Sequence, residues 1–412
     1  MAKDNLIEVA GGWEGYVLGT VGRSPAGENN RDHDQVDIEL LPLADRVRIC
    51  SGCGRGSDSI HDVEERWVRD LPVFGADCWL LVHRVRVACR HCGPKLEKLS
   101  WLDPYARVTL RLAESVARLC RVLPVKHVAE EYRLDWKTVK AIDKDYLTRT
   151  LGPPDLEGVE QIVMDEFAIQ KGHRYATVVL EPHTRRVLWV GRGRGREDVR
   201  PFFELLGPTR CAALKAVAMD MNGAYELEVR SRCPAAQVVF DLFHVVVKYG
   251  REVIDRVRVD EANRLRQDKP ARQLIKGARW LLLRNADNIQ NHDDRVRLKE
   301  LLDANRHLLS VYVMKDDLKA LWDYQVPGHA MNFWKSWYAR ATHSRIAPLI
   351  AFAKKLRGYL PGIIAHCRWP LHTSVLEGVN NKIKVIKRMA FGFRDDAYFF
   401  LKIRAAFPGH GR

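Results

Sequence analysis

Two carboxylates interrupt apolar stretches of this chain. Asp165 stands inside Gln161-Ile162-Val163-Met164-Asp165-Glu166-Phe167-Ala168-Ile169, and Asp220 ends the run Val217-Ala218-Met219. An acid buried alone is costly, so such residues require a partner, a cap or a cation. A third acid, Glu377, opens a stretch in which Leu376, Val379, Ile383 and Ile386 recur at helical spacing. Glu377, Asn380, Asn381, Lys384 and Arg388 fall on another face of that helix, mixing a metal ligand with groups that suit phosphates. Two acids on neighbouring strands and a third on a later helix can hold Mg2+ (or Mn2+) for phosphoryl transfer without a covalent protein intermediate. Ser374-x-x-Glu377 is also a capping-box pattern, but the basic run behind it favours a ligand beside DNA. Glu166 follows Asp165 and points to the opposite strand face. Asp241, with Phe243 and His244, ends a further apolar run and stands behind the acids or touches DNA.

The elements that must carry these acids are short. Apolar runs at 161–169 and 175–180 flank the turn Lys171-Gly172-His173, a hairpin pattern. A third strand (186–190), a helix (198–206), a fourth strand (216–219), a helix (224–231), a fifth strand (237–240) and a helix from Leu242 follow. Three antiparallel strands and then strand–helix alternation is the order of an RNase H-like mixed sheet, an α/β fold in which the first and fourth strands are neighbours. That order would set Asp165 beside Asp220. Residues 250–365 are helical in pattern and read as an all-α insertion that packs its own aromatics. Gly191-Arg192-Gly193-Arg194-Gly195-Arg196 lacks the Lys-Ser/Thr of a phosphate-binding Walker loop and reads as a basic loop or a solvated turn.

Ahead of this core lie Cys50-Ser51-Gly52-Cys53 and Cys89-Arg90-His91-Cys92, two C-x-x-C knuckles with glycines at their turns. Four thiolates so paired suit tetrahedral Zn2+ in a structural role, because no coordination position is left open. Cys78, His61, His83 and His91 read as bystanders. Residues 78–82 and 84–87 read as strands of a ribbon-like module, and residues 1–40 as an irregular or weakly stranded lead-in. Pro104 to Leu123 keeps helical spacing, Pro124 breaks it, and residues 125–142 follow a helix-turn-helix pattern with Ala129 at the close crossing. Asp135 is placed to cap the second helix, which turns Lys137, Thr138 and Lys140 outward toward a major groove. Arg133 occupies a turn position where glycine is common. The expected division is 1–100 (zinc-binding module), 101–150 (helix-turn-helix), 151–255 (first part of the core), 256–365 (insertion) and 366–412 (closing helix with the third acid).

The 67 Lys and Arg against 52 Asp and Glu give a net charge of +15, a balance that favours a polyanionic partner. No run is apolar for the ~18 residues that a membrane span needs. The start lacks a signal-peptide pattern and the cysteines lack a disulfide framework, which points to the cytoplasm.

Taken together, the chain resembles the ISL-three group of bacterial insertion-sequence transposases from Cys50 onward. The resemblance rests on Met164-Asp165-Glu166-Phe167, Ala218-Met219-Asp220-Met221, Asp241-x-Phe243-His244 and Glu377-Gly378-Val379-Asn380-Asn381-Lys382-Ile383-Lys384. It implies a DDE triad of Asp165, Asp220 and Glu377, zinc on the paired knuckles, and recognition of an element's terminal inverted repeats by the N-terminal modules. It also implies strand cleavage and transfer by water and then a 3′-hydroxyl, in a homodimer or larger assembly on double-stranded DNA. Two other readings compete: a zinc-containing DNA-binding regulator whose α/β domain is a scaffold, and a structure-selective nuclease on the same sheet.

Overall fold

The computed structural model describes residues 11–27, 32–170, 172, 174–284, 288–371 and 374–409, with the side chains of all but Ser374 and Val375. Lys171 and His173 of the expected turn lie outside these residues, as do His372 and Thr373. The chain divides into two compact units, Met1–Gly152 and Pro153–Arg412.

In the first unit β1 (Tyr16–Ser24), β2 (Gln35–Pro42), β5 (Ile60–Val73) and β6 (Ala76–Cys89) form a sheet in the order β1-β2-β6-β5. β7 (Gly93–Leu96) pairs with the far half of β6, and the short β3 (Arg48–Ile49) and β4 (Gly56–Ser57) make a separate hairpin. β2 runs parallel to β6 and β5 antiparallel to it, so the sheet is mixed. Burial alternates along the first half of β6 and sets Cys78, Leu80 and Val82 against Ile38, Leu40, Val68 and Trp101. This corrects three expectations. Among the described residues the lead-in carries two full strands, 78–87 belongs to one uninterrupted strand, and β5 lies where the spacing indicates no strand. β5 is an edge strand whose outer half is exposed and charged, a pattern that protects an edge but hides the period-two signal.

Three helices follow, α1 (Leu110–Leu119), α2 (Val125–Tyr132) and α3 (Trp136–Leu151). α1 begins at Leu110, six residues later than the spacing from Pro104 suggested, behind the cap Thr109, whose side chain accepts from Leu112 N–H. Buried Asp70 on β5 ties strand to helix, accepting from Thr109 Oγ1 at 2.7 Å, Arg111 Nε at 2.7 Å and Trp13 Nε1 at 3.1 Å. Leu112, Val116, Val128, Ala129, Tyr132 and Val139 close the helical core.

In the second unit β8 (Gln161–Gln170), β9 (Arg174–Glu181), β10 (Arg186–Arg192), β11 (Ala216–Met219) and β12 (Gln237–Phe240) form a sheet in the order β10-β9-β8-β11-β12. The pairs β8–β9 and β9–β10 are antiparallel, whereas β11 is parallel to both β8 and β12. α4 (Arg196–Ala213, kinked at Gly207), α5 (Gly223–Arg232) and α6 (Leu242–Tyr249) alternate with the later strands. A π turn at Gly250–Ile254 leads into α7 (Asp255–Arg264), α8 (Lys269–Gly277), α9 (Arg279–Leu283), α10 (His292–Ala304) and α11 (Arg306–Ala320). The chain continues through α12 (Pro327–His343), α13 (Ala347–Leu356), α14 (Leu360–Ile364), α15 (Ser374–Met389) and α16 (Asp396–Ala406).

The two sheet faces have different covers. Ile162, Met164, Val217, Met219 and Phe240 share one core with α4 to α14, including Tyr249, Val311, Trp337 and Phe352. The helical stretch therefore does not pack its aromatics by itself; Phe240 meets Tyr359 with ring centroids 5.3 Å apart. Val163, Phe167, Val178, Ala218 and Val239 form the other core with Leu376, Val379, Ile383 and Ile386 of α15 and Phe399 and Ile403 of α16. Period-two alternation puts Asp165 on this second face with Val163 and Phe167, and Asp220 with Ala218. α15 thus covers the face that carries both acids.

Candidate active site, zinc knuckles and DNA-reading helix

β11 pairs with β8 through Ala218↔Val163, so Asp220 and Asp165 lie at neighbouring strand positions two residues farther on. Asp241 follows β12, with its N–H donating to Met219 O at 3.3 Å, one strand beyond. Asp165 accepts from Glu166 N–H at 2.8 Å and from the Asn380 amide of α15 at 2.6 Å. Lys387, two turns on, donates to Ala168 O at 3.0 Å and pins the same helix to β8. Asp220 Oδ1 is buried without a hydrogen-bond partner, as is Asn380 Oδ1.

Burial pushes the Asp165 carboxyl above its ordinary range, opposed by the Glu166 N–H, His244 and Asn380. Asp220 is pushed up to about 6, first by burial and then by the charges of Glu166 and Asp165, against the pull of His244 and Lys248. Two adjacent acids that resist ionisation, one with an orphaned oxygen, form a donor set that a divalent cation fits. His244 Nε2 stands 4.0 Å from Asp241 Oδ2.

Glu377 is exposed in the first turn of α15, one turn ahead of Asn380. Its carboxylate does not join the aspartates in a group whose ligand atoms all lie within 4.8 Å; among the described residues only the four cysteines form such a group. Asn381 accepts from Lys384 at 3.3 Å, and Lys384 and Arg388 are exposed. The side chain of Ser374, and with it the capping-box reading, lies outside the described residues.

The Arg-Gly loop is not a free basic loop. Arg192 pairs with Asp396, Arg194 reaches Glu166 at 2.8 Å over the Tyr175 ring, and Arg196 reaches buried Glu228 at 2.7 Å. Each partner is distant in sequence, so no local signal announced these pairs.

In the first unit Cys50, Cys53, Cys89 and Cys92 bring their sulfurs within 4.8 Å of one another, close to the ~3.8 Å edge of a zinc–thiolate tetrahedron. The first knuckle is the β3–β4 turn, where Gly54 N–H donates to Cys50 O at 2.9 Å with Gly54 at φ +71. The second joins β6 to β7 with Gly93 at φ +69. The backbone N–H groups of His91 and Cys92 draw Cys89 down to about 6, whereas its neighbour Cys53 pushes Cys92 up to about 12. A cation relieves that repulsion, so the donor set fits zinc. Cys78 is buried in the sheet core, and His91 pairs with Arg55.

At α3, Asp135 accepts from Lys137 N–H at 2.8 Å as the expected cap. Lys137 and Thr138 are exposed and Lys140 half-buried. Arg133 takes the left-handed turn conformation (φ +52) that glycine would, held by Asp77 at 2.6 Å and by Gly75 O at 3.0 Å.

Comparison with known proteins follows the same order along the chain. Residues 46–92 match the zinc-finger of the transposases of IS204, IS1001, IS1096 and IS1165, and 97–147 match the helix-turn-helix domain of transposase family ISL3. Residues 162–403 match the DDE-type ISL3 transposase family. The chain belongs to the ISL3 family of transposases. It is 52% identical over 414 residues to the transposase of insertion sequence element IS1001 of Bordetella parapertussis, covering 100% of both chains. It is 27% identical over 408 residues to the IS1557 transposase of Mycobacterium tuberculosis, covering 92% of this chain and 90% of that one. The protein is a DNA-binding transposase with a structural zinc site, which sets the scaffold-regulator reading aside. Among the described residues no helix is long and apolar enough to cross a membrane.

Proposed function

We propose that Asp165, Asp220 and Glu377 form the catalytic centre of this transposase and hold two divalent cations, Mg2+ or Mn2+. The observation that carries this is the pair of partly buried, pKa-raised aspartates at neighbouring positions of adjacent strands, with Asp165 bonded by Asn380 of the helix that bears Glu377. The strand order β10-β9-β8-β11-β12, with β8 parallel to β11, supports an RNase H-like core. Bound cations would lower the pKa of an attacking oxygen and offset charge on the leaving one. Asn380 orients the Asp165 carboxylate, and Lys387 fixes the helix that supplies Glu377. Asp241 and His244 stand behind the acids, His244 stabilising their ionised forms.

Asn381, Lys384 and Arg388 extend from that helix as phosphate contacts, whereas Lys137, Thr138 and Lys140 of α3 read the terminal inverted repeats of the element. In this division residues 1–100 stabilise the zinc module and 101–150 read DNA. Residues 151–255 and 366–412 perform chemistry, and 256–365 brace the core. Two protomers or more bring the two element ends together, in the cytoplasm on the nucleoid, and the freed 3′-hydroxyl then attacks target DNA. Replacing Asp220 with Asn should reduce cleavage of end-bearing duplexes at least 1,000-fold, an order-of-magnitude expectation for losing a metal-held charge. Binding of the same duplexes should stay near wild type. Undiminished cleavage by this variant would remove Asp220 from the site.

A further inference from the structure

The turn between β5 and β6 carries a residue that neither the zinc knuckles nor the acids use. Phe74 is 93% exposed, and its backbone sits at φ +50, a left-handed conformation that a bulky side chain rarely adopts. Gly75 follows at φ +81. Val73 pairs with Ala76, so Phe74 and Gly75 are the two loop residues of a tight hairpin that needs positive φ at both. Asparagine or glycine would suit the first position better, and the large ring held out in water there contributes nothing to the core.

The turn is also tethered. Arg133 donates to Gly75 O at 3.0 Å and to Asp77 Oδ1 at 2.6 Å, and Arg69 pairs with the same carboxylate. Arg133 is itself the left-handed residue of the helix-turn-helix turn, three positions before α3 begins at Trp136. Phe74 therefore belongs to a rigid tip fastened beside the start of α3, where Trp136, Lys137 and Thr138 are exposed. The tip segment Leu71-Pro72-Val73-Phe74-Gly75-Ala76 has no charged side chain, so it meets no repulsion from phosphates. A helix of this type enters the major groove by its N-terminal residues, and in homeodomains a segment outside that helix reaches the adjoining minor groove, the position open to a tip beside the start of α3. Apolar wedges, phenylalanine among them, act there by unstacking a base step and bending the duplex.

We propose that Phe74 is a second DNA-contacting site, a minor-groove wedge next to the segment read by α3. The inference rests on α3 being the helix that reads DNA. Its exposure makes Phe74 testable without disturbing the fold. The full chain, with zinc bound, is titrated onto labelled duplexes carrying the inverted repeats that flank its gene. Phe74→Ala, Phe74→Gly and Lys137→Ala are compared with wild type in affinity, salt dependence, melting temperature and duplex bending by energy transfer.

Phe74→Ala should weaken binding roughly 5- to 150-fold, the range for losing one aromatic–base stack. It should straighten the bound duplex and leave the melting temperature and the salt slope unchanged, because no charge is lost. Phe74→Gly should bind as poorly yet melt no lower than wild type, since glycine accepts a positive φ. Lys137→Ala should reduce the salt slope by about 1. Weakened binding by Lys137→Ala with unchanged binding and bending by Phe74→Ala would overturn the wedge alone. Wild-type behaviour of all three variants would overturn the reading of α3 and the wedge with it. A loss in Phe74→Ala matched by a lower melting temperature would assign Phe74 to folding instead.

Discussion

Asp220 holds its proton up to about pH 6 because burial and the charges of Glu166 and Asp165 oppose ionisation. A carboxyl raised from its ordinary 3.8 binds more protons in the folded chain than in the unfolded one between about pH 4 and 6. Stability attributable to this group is therefore lost as pH rises through that window. Asp220→Asn should consequently be more stable to unfolding than wild type at pH 7.5, by roughly 1–2 kcal/mol, and match it near pH 4. Denaturant titrations at the two pH values measure this. The same sign governs the cation: protons compete with Mn2+ below about pH 6, so affinity should fall there and level off above. Calorimetric titration with Mn2+ across pH 5–8 checks it, and an affinity indifferent to pH would contradict the assignment.

Among the elements, the zinc knuckles and α15 show how much a local pattern can carry. The four cysteines were legible because two-residue spacing and turn glycines leave few alternatives. Leu376, Val379, Ile383 and Ile386 of α15 are buried as their spacing required. The strands of the second unit were legible because β9 and β11 are largely buried apolar runs and β8 is one broken only by Asp165 and Glu166 and by its ends. What escaped was set by partners distant in sequence. β5 is masked by its charged edge, Arg133 adopts a glycine conformation through its tie to Asp77, and Arg194 pairs with Glu166 across 28 residues. The helices after α6 read as self-contained only because their spacing says nothing about the sheet face they cover.

The zinc knuckles also bear a prediction at this scale. Their sulfurs repel without a cation, so chelation or Cys89→Ser should lower the melting temperature of the first unit and weaken duplex binding. Zinc content should fall from one per chain, read by atomic absorption, while the second unit keeps its own melting transition.

At the scale of the molecule, a +15 charge and a helix-turn-helix match join a transposase fold in one chain. Binding to end-bearing duplexes should fall about 10³-fold or more between 50 and 200 mM salt if six or more phosphates are contacted. Cleavage per bound complex should change far less, because salt screens the exposed phosphate contacts more than the partly buried Asp165 and Asp220.

The proposed centre requires Asp165 and Asp220 to share one of its two cations, with Glu377 completing the site. Anomalous scattering from crystals of the protein bound to an end duplex and Mn2+ tests it most directly. A Mn2+ peak is expected between the Asp165 and Asp220 carboxylates, with Glu377 drawn to the same metal centre. Mn2+ bound elsewhere, with these two aspartates free of it, would contradict it.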